Sequence, residues 1–296
     1  MPGANPICTP PSSPVKIPAG IYTIGSTGTY QEEGPKKQVE IAAFWIEPTE
    51  VTVARFREFV STTGYVTTAE RAVDEETISG FELSEEEKKR FLSPGGAVFS
   101  PQHRSTPSDF DWWHYVPGAN WKTPEGPNGD SASSTHPVTQ VSYEDAVAFA
   151  AWAGGRLPTE VQWEIAATAR NRQSNSRREP PKNANTWQGI FPVQNSEEDG
   201  FVGIAPVGCF EPNSFGLYDM IGNVWEWTSN AYTPRRDIET DPRVELSATH
   251  RTLKGGSFLC SENYCLRYRP AARQAQESGL GTNHIGFRVA YDTRPY

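Results

Sequence analysis

Gly216-Leu217-Tyr218-Asp219-Met220-Ile221-Gly222-Asn223-Val224-Trp225-Glu226-Trp227 has no helical period, because Gly and Asn break its apolar residues and its acids stand near the ends. The same texture of short strands and turns, rich in Gly, Asn and aromatics, runs from Asn183 to Tyr296. Toward the other end, Val15 to Ile46 alternates and breaks at Gly20, Gly25, Gly28 and Gly34, as short strands and turns do. Helical signals lie only between these two regions. Strands, then helices, then irregular strands, with no internal repeat, predict an α+β fold: a single compact domain with little regular secondary structure, over residues 16–296. The Pro- and Ser-rich residues 1–15 read as a flexible tail.

The helical signals are specific. Glu50 to Val60 has apolar residues at helical spacing, Thr52 as its cap and Gly64 beyond its end. Ser84-Glu85-Glu86-Glu87 reads as a capping box before a short helix, and Ser142-Tyr143-Glu144-Asp145 opens a helix that runs through Trp152 and stops at Gly154-Gly155. Thr159 to about Arg170 forms another. The tight Arg156-Leu157-Pro158 connection predicts that these last two helices pack as neighbours. Otherwise, residues 66 to 135 lack a sustained period. Trp112-Trp113 and the Pro/Gly-rich Pro117 to Gly129 predict a long ordered loop, either a binding surface or a cover over a core. Arg170 to Lys182 reads as an exposed basic connector.

Composition narrows the function classes. Nine Trp, 11 Tyr and 14 Phe in 296 residues supply large burial per residue, so the chain folds despite 25 Gly and 25 Pro. A formal charge of -9 argues against nucleic acid or an anionic membrane as partner and suits a basic peptide better. No apolar run approaches the roughly 20 residues that span a bilayer. Met1 to Val15 contains no secretory apolar core, no Asn-x-Ser/Thr sequon is present, and Cys8 and Cys209 lie far from the other two cysteines. These facts predict a reducing cytoplasm without structural disulfides, with no role for Cys8 or Cys209.

Chemistry concentrates in Gly255-Gly256-Ser257-Phe258-Leu259-Cys260-Ser261-Glu262-Asn263-Tyr264-Cys265-Leu266-Arg267-Tyr268-Arg269. In a straight strand, Cys260 and Cys265 point to opposite faces, so they meet only if Ser261-Glu262-Asn263 bends the chain. That segment is polar and turn-like. The pair can then be a disulfide, a redox couple or a two-thiolate clamp. With no histidine nearby, a clamp suits a soft ion such as Cu(I) best. Asn185-Thr186-Trp187, Asn195 to Phe201 and Asp219 to Trp227 gather hard oxygen donors in irregular backbone, which fits either Ca2+ or metal-free Asx turns. No two of the five histidines, His103, His114, His136, His250 and His284, are three or four apart, so a helical histidine metal site is excluded. There is no P-loop, dinucleotide fingerprint or Gly-x-Ser-x-Gly elbow.

Taken together, Gly255 to Arg269, Gly216 to Trp227, Gly154-Gly155-Arg156-Leu157-Pro158-Thr159-Glu160 and Gly286-Phe287-Arg288 resemble the formylglycine-generating enzymes, or sulfatase-modifying factors. The resemblance runs from about Ile17 to the C-terminus and includes Pro117-Gly118-Ala119-Asn120-Trp121. The Gly-Asn-x-Trp-Glu-Trp and Gly-Phe-Arg blocks mark the wider superfamily. The two cysteines in their Gly-Gly-Ser frame are more selective. The resemblance implies a fold related to the C-type-lectin-like fold, and O2-dependent oxidation of a cysteine to Cα-formylglycine. The substrate would be a Cys-x-Pro-x-Arg type sequence of a nascent or unfolded sulfatase.

By that resemblance, Cys260 and Cys265 bind Cu(I) and the substrate thiolate joins as a third ligand. Ser257 and Tyr264 orient substrate or oxygen, Trp225 walls the site, and Asp74 receives the substrate arginine. Asn185, the Thr186 carbonyl, Asp199 and the Phe201 carbonyl correspond to one structural Ca2+ site. Asp219, the Gly222 and Val224 carbonyls and Glu226 correspond to a second. Ala150, Ala167, Pro270 and Val289 replace the structural cysteines of secreted animal members, in keeping with a cytoplasmic enzyme, and a monomer is expected. His284 stands at a pocket position often held by Asn, which leaves room for a related oxidase acting on another peptide or a natural product.

Overall fold

The structure is a computed structural model, described here for residues 8–27, 29–100, 112–168, 181–234 and 249–295. Its strands are β1 (Val15–Ile17), β2 (Gly20–Ile24), β3 (Lys37–Ile41), β4 (Phe44–Ile46), β5 (Gly95–Phe99), β6 (Trp113–Pro117), β7 (Gly189–Ile190), β8 (Gln194–Asn195), β9 (Trp225–Ala231), β10 (His250–Lys254), β11 (Gln274–Glu277), β12 (Ile285–Gly286) and β13 (Ala290–Tyr291). Its α-helices are α1 (Val53–Thr63), α2 (Glu75–Ile78), α3 (Glu85–Leu92), α4 (Tyr143–Trp152) and α5 (Glu160–Thr168). A central sheet runs β11-β10-β9-β12, antiparallel except for the parallel β12–β9 pair. A second sheet, β1-β4-β13, brings the two ends of the domain onto either side of β4. Three hairpins, β2–β3, β5–β6 and β7–β8, complete the set.

Local chemistry explains the helix ends. The Thr52 hydroxyl accepts from the Arg55 N–H at 3.3 Å, and Gly64 closes α1 with φ of 69°, a left-handed turn that glycine adopts without a Cβ clash. Reciprocal capping boxes open α3 (Ser84 with Glu87) and α4 (Ser142 with Asp145). Thr159 and Gln162 exchange the equivalent bonds at the start of α5, at 3.1 and 3.0 Å.

Two apolar cores divide the helices. Ala146, Phe149 and Ala150 of α4 pack with Val53, Phe56 and Phe59 of α1, Trp225, Trp227 and both cysteines of the Gly-Gly-Ser stretch. Trp163, Ile165, Ala166 and Ala167 of α5 pack with Ile17, Ile24, Phe44, Ile46 and Met220. The expectation that α4 and α5 pair as neighbours is therefore corrected. Their apolar faces look into different cores, and the sheet strand β9 is shared by both through Trp225, Trp227 and the Glu226 bond to Trp163.

Two other differences stand out. Residues 66–135 contain a regular hairpin, β5–β6, where no sustained period was expected beyond the short helix after Ser84; Gly95-Gly96 and Trp112-Trp113 obscure its alternation. Cys8, assigned to a loose tail, is disulfide-bonded to Cys209 across 201 residues, which overturns the absence of structural disulfides and removes that premise for a reducing compartment. Lastly, the basic connector Arg170 to Lys182 lies almost wholly outside the described residues, as does His103.

Candidate active site

β10 delivers the chain directly into Gly255-Gly256, with φ of 101° and 78°. Backbone lies so close to Gly256 that an added Cβ would meet the Arg267 carbonyl at 3.0 Å, and this approach folds the stretch back on itself. Two backbone bonds tie it to the Gly216–Trp227 block: Gly222 N–H to the Gly255 carbonyl at 3.0 Å, and Phe258 N–H to the Asn223 carbonyl at 2.9 Å. The bend foreseen at Ser261-Glu262-Asn263 is a tight turn in which the Cys265 N–H donates to the Ser261 carbonyl at 3.0 Å, with Ser261 Oγ donating to Asn263 Oδ1 at 2.9 Å.

That turn sets the two sulfur atoms 3.1 Å apart, both buried and neither in a disulfide. Hydrogen bonding from the Cys260 thiol, opposed by burial and aided by the Arg267 backbone and guanidinium, holds Cys265 down to about 7. Burial, and then its neighbour, pushes Cys260 well above the usual thiol range. Above about pH 7 the pair thus shares one proton, with Cys265 the thiolate. Arg267 is itself fixed by Glu32 at 2.8 Å and by the Tyr30 ring, 4.1 Å from its guanidinium carbon. Arg269 is clamped by both oxygens of Glu33. Tyr30, Glu32 and Glu33 carry no local motif; their role is visible only once the loop meets the cysteine stretch.

Around the sulfur pair, Trp225 lies in the same buried cluster. Ser257 is buried, its carbonyl accepting from the Cys260 N–H at 2.9 Å and its hydroxyl accepting from the Leu259 N–H at 3.3 Å. Tyr264 forms a half-exposed rim, and burial with the two neighbouring thiols raises its phenol. His284 is buried against Trp113, with ring centroids 4.8 Å apart and Nδ1 2.9 Å from Thr282 Oγ1. Burial drives it down to about 3, so it is a neutral imidazole at ordinary pH. Asp74 is exposed at the start of α2, without a side-chain bond to the helix.

The donor set fits a soft ion: two sulfur atoms, one already a thiolate. Among the described residues no group of three or more His, Cys, Asp or Glu side chains is arranged to hold a metal ion, so the protein offers this pair no third ligand of those types.

The two oxygen-rich sets differ. Asp199 accepts from the Thr186 N–H at 3.0 Å, the Gln188 amide at 2.7 Å and the Phe201 N–H at 3.0 Å, which draws Asn185-Thr186 and Asp199-to-Phe201 together. In the second set, both Glu226 oxygens are committed to Arg288 (2.7 and 2.8 Å), and one also to Trp163 at 2.8 Å. Asp219 takes the Gly208 N–H at 2.6 Å and lies against Glu50, which precedes α1 and carries no site motif. Glu50 Oε1 accepts from Asn223 at 3.1 Å, while its Oε2 is buried without a partner. Burial raises Asp219 to about 6, and burial and then Asp219 push Glu50 well above the usual carboxylate range. Two proton-hungry buried carboxylates with an orphaned oxygen fit a hard cation.

Comparison with known proteins bears on this geometry. Residues 4–293 match the sulfatase-modifying factor enzyme 1-like domain family. The chain is 45% identical to the formylglycine-generating enzyme of Mycobacterium tuberculosis, covering 94% of this chain and 97% of that one. It is 41% identical to the formylglycine-generating enzyme of Bos taurus, covering 100% of this chain and 78% of that one. In fold it is similar to the solved structure of PvdO from Pseudomonas aeruginosa, with a TM-score of 0.64 at 21% identity over 95% and 94% of the two chains.

Proposed function

Because the chain belongs to the sulfatase-modifying factor enzyme 1-like family and matches formylglycine-generating members over nearly its whole length, we propose that it oxidises a sulfatase cysteine to Cα-formylglycine. The observation that carries this reading is the buried Cys260–Cys265 pair, unbridged at 3.1 Å at the end of β10. Cys260 and Cys265 would hold Cu(I), which supplies O2 chemistry and a coordination position for the substrate thiol.

The surrounding residues have separate tasks. Cys265 loses its proton at about pH 7 and so ligates readily as a thiolate; Cys260 must release the shared proton. Arg267 stabilises the negative charge that results, and Glu32 holds Arg267 in place. Trp225 and the buried wall behind it exclude water. Tyr264 and Ser257 position substrate, neutral His284 offers a hydrogen bond without a charge, and Asp74, exposed on α2, receives the arginine of a Cys-x-Pro-x-Arg motif. Glu50 and Asp219 with nearby carbonyls would hold one structural Ca2+, and Asn185, Asp199 and the Thr186 and Phe201 carbonyls another. Glu226 joins the former only by releasing Arg288 or Trp163.

The substrate class is tested with two peptides, one carrying Cys-x-Pro-x-Arg and one with the same residues scrambled, incubated in air with Cu(I)-loaded protein. Aldehyde trapped on the first peptide alone supports the reading. Equal conversion of both, or of neither, refutes it.

A further inference from the structure

The hairpin β7–β8 projects two aliphatic side chains into solvent: Ile190 is 59% exposed and Val193 66%. Single exposed aliphatics are ordinary. These two flank Phe191-Pro192 at a hairpin tip that is fastened to the cysteine loop. The Phe191 N–H donates to Asn263 Oδ1 at 3.5 Å, and the Phe191 ring stacks on Tyr264 with centroids 4.3 Å apart and planes 12° from parallel. At the hairpin base, the Trp187 N–H donates to the Cys260 carbonyl at 3.0 Å. Below the tip, Trp187 and Phe191 pack with Phe99, Trp112, Phe258 and Leu259. This packed floor leaves no room for Ile190 or Val193 to fold inward. Tyr264, 50% exposed and next in sequence to Cys265, continues the apolar surface to the rim of the sulfur pair.

We propose that Ile190, Val193 and the exposed edge of Tyr264 form a ledge that takes an apolar side chain of the substrate polypeptide, within a few residues of the cysteine being oxidised. The proposal rests on the reading of Cys260 and Cys265 as the seat of oxidation. A polypeptide that presents its thiol there must leave the site over the rim. Each extended residue advances at most about 3.6 Å, so residues two to four away from the cysteine reach beyond Tyr264 toward the hairpin. Burying an aliphatic side chain between Ile190 and Val193 removes apolar surface from water on both partners. Because the hairpin is bonded to the cysteine loop, little ordering cost opposes that gain. The occupant is an extended, unfolded chain, since a folded surface would not enter a site whose sulfur atoms are buried.

The test uses peptides of the Cys-x-Pro-x-Arg type with either Leu or Ser at the positions flanking the motif, and the variant Ile190→Ser/Val193→Ser. Binding is read by calorimetry on peptides whose cysteine is replaced by serine, and turnover on the intact peptides. Wild type is expected to bind the best Leu peptide about tenfold more tightly than its Ser counterpart. The variant should lose that preference, raising KM for the Leu peptide about tenfold at unchanged kcat. Ile190→Val/Val193→Ile should retain the preference. A preference that persists in the Ser variant, or is absent from wild type, overturns the ledge. So does a variant whose only change is in self-association, because the face would then join copies of the chain. Ledge-dependent binding without any turnover supports the ledge and refutes the oxidase reading; turnover without ledge-dependent preference does the reverse.

Discussion

One proton shared by two sulfur atoms makes Cys265, rather than Cys260, the reactive thiol of the metal-free protein. Alkylation of Cys265 by iodoacetamide, followed by peptide mapping against pH, should rise through about 7. In Cys260→Ala the donated hydrogen bond is lost, so the midpoint should move up toward the ordinary thiol value of about 8.5. A midpoint that stays near 7 would mean that Arg267 alone sets it. Spacing made the pair legible in the sequence, and the polar turn between them made their meeting plausible. Their unequal proton affinities were not legible, because they come from the hydrogen bond between the two thiols and from the burial of Cys260, which exist only in the folded chain.

Among the elements, β9 carries the heaviest electrostatic burden: Glu226 lies fully buried between Arg288 and Trp163, and the neighbouring strand buries Lys254 against Glu164 at 3.0 Å. Arg288→Met leaves Glu226 charged and without its cation, and should cost about 3–5 kcal/mol by urea denaturation; Glu226→Gln/Arg288→Met should cost less. A second element-scale constraint is the Cys8–Cys209 bond, which ties the segment before β1 to the loop whose Gly208 N–H holds Asp219. Cys8→Ser/Cys209→Ser should lose about 2–4 kcal/mol in the same assay, because a long loop is no longer closed in the unfolded chain. Helices were readable because caps such as Ser142 with Asp145 act within four residues. The β5–β6 hairpin was not, since two adjacent glycines and two adjacent tryptophans break the alternation on which strand recognition depends.

Across the whole molecule, a cation held by Glu50 and Asp219, as proposed, would compete with their protons. Both carboxyls hold protons more tightly in the folded chain than in the unfolded one, where they titrate near about 4. The native state is therefore the more protonated, so the stability that Asp219 contributes is present below about pH 4 and lost as pH rises through about 6, and Glu50 adds a loss of the same sign. For Asp219 alone the loss is on the order of 3 kcal/mol. In chelator, Tm should fall across that window; millimolar Ca2+ should restore it, and Glu50→Gln should flatten the profile. A flat profile in wild-type protein would remove the cation reading. The α+β class followed from the order of patterned segments, whereas the convergence of Glu50 on Asn223, 173 residues away, required the fold. The central claim, that the Cys260–Cys265 pair is the seat at which O2 oxidises a peptidyl cysteine, is tested most directly by mass spectrometry of a Cys-x-Pro-x-Arg peptide after incubation in air with Cu(I)-loaded wild type, Cys260→Ala and Cys265→Ala. The account predicts loss of the peptide thiol and gain of an aldehyde with wild type, and an unchanged peptide with either folded variant; aldehyde formed by a variant at the wild-type rate would contradict it.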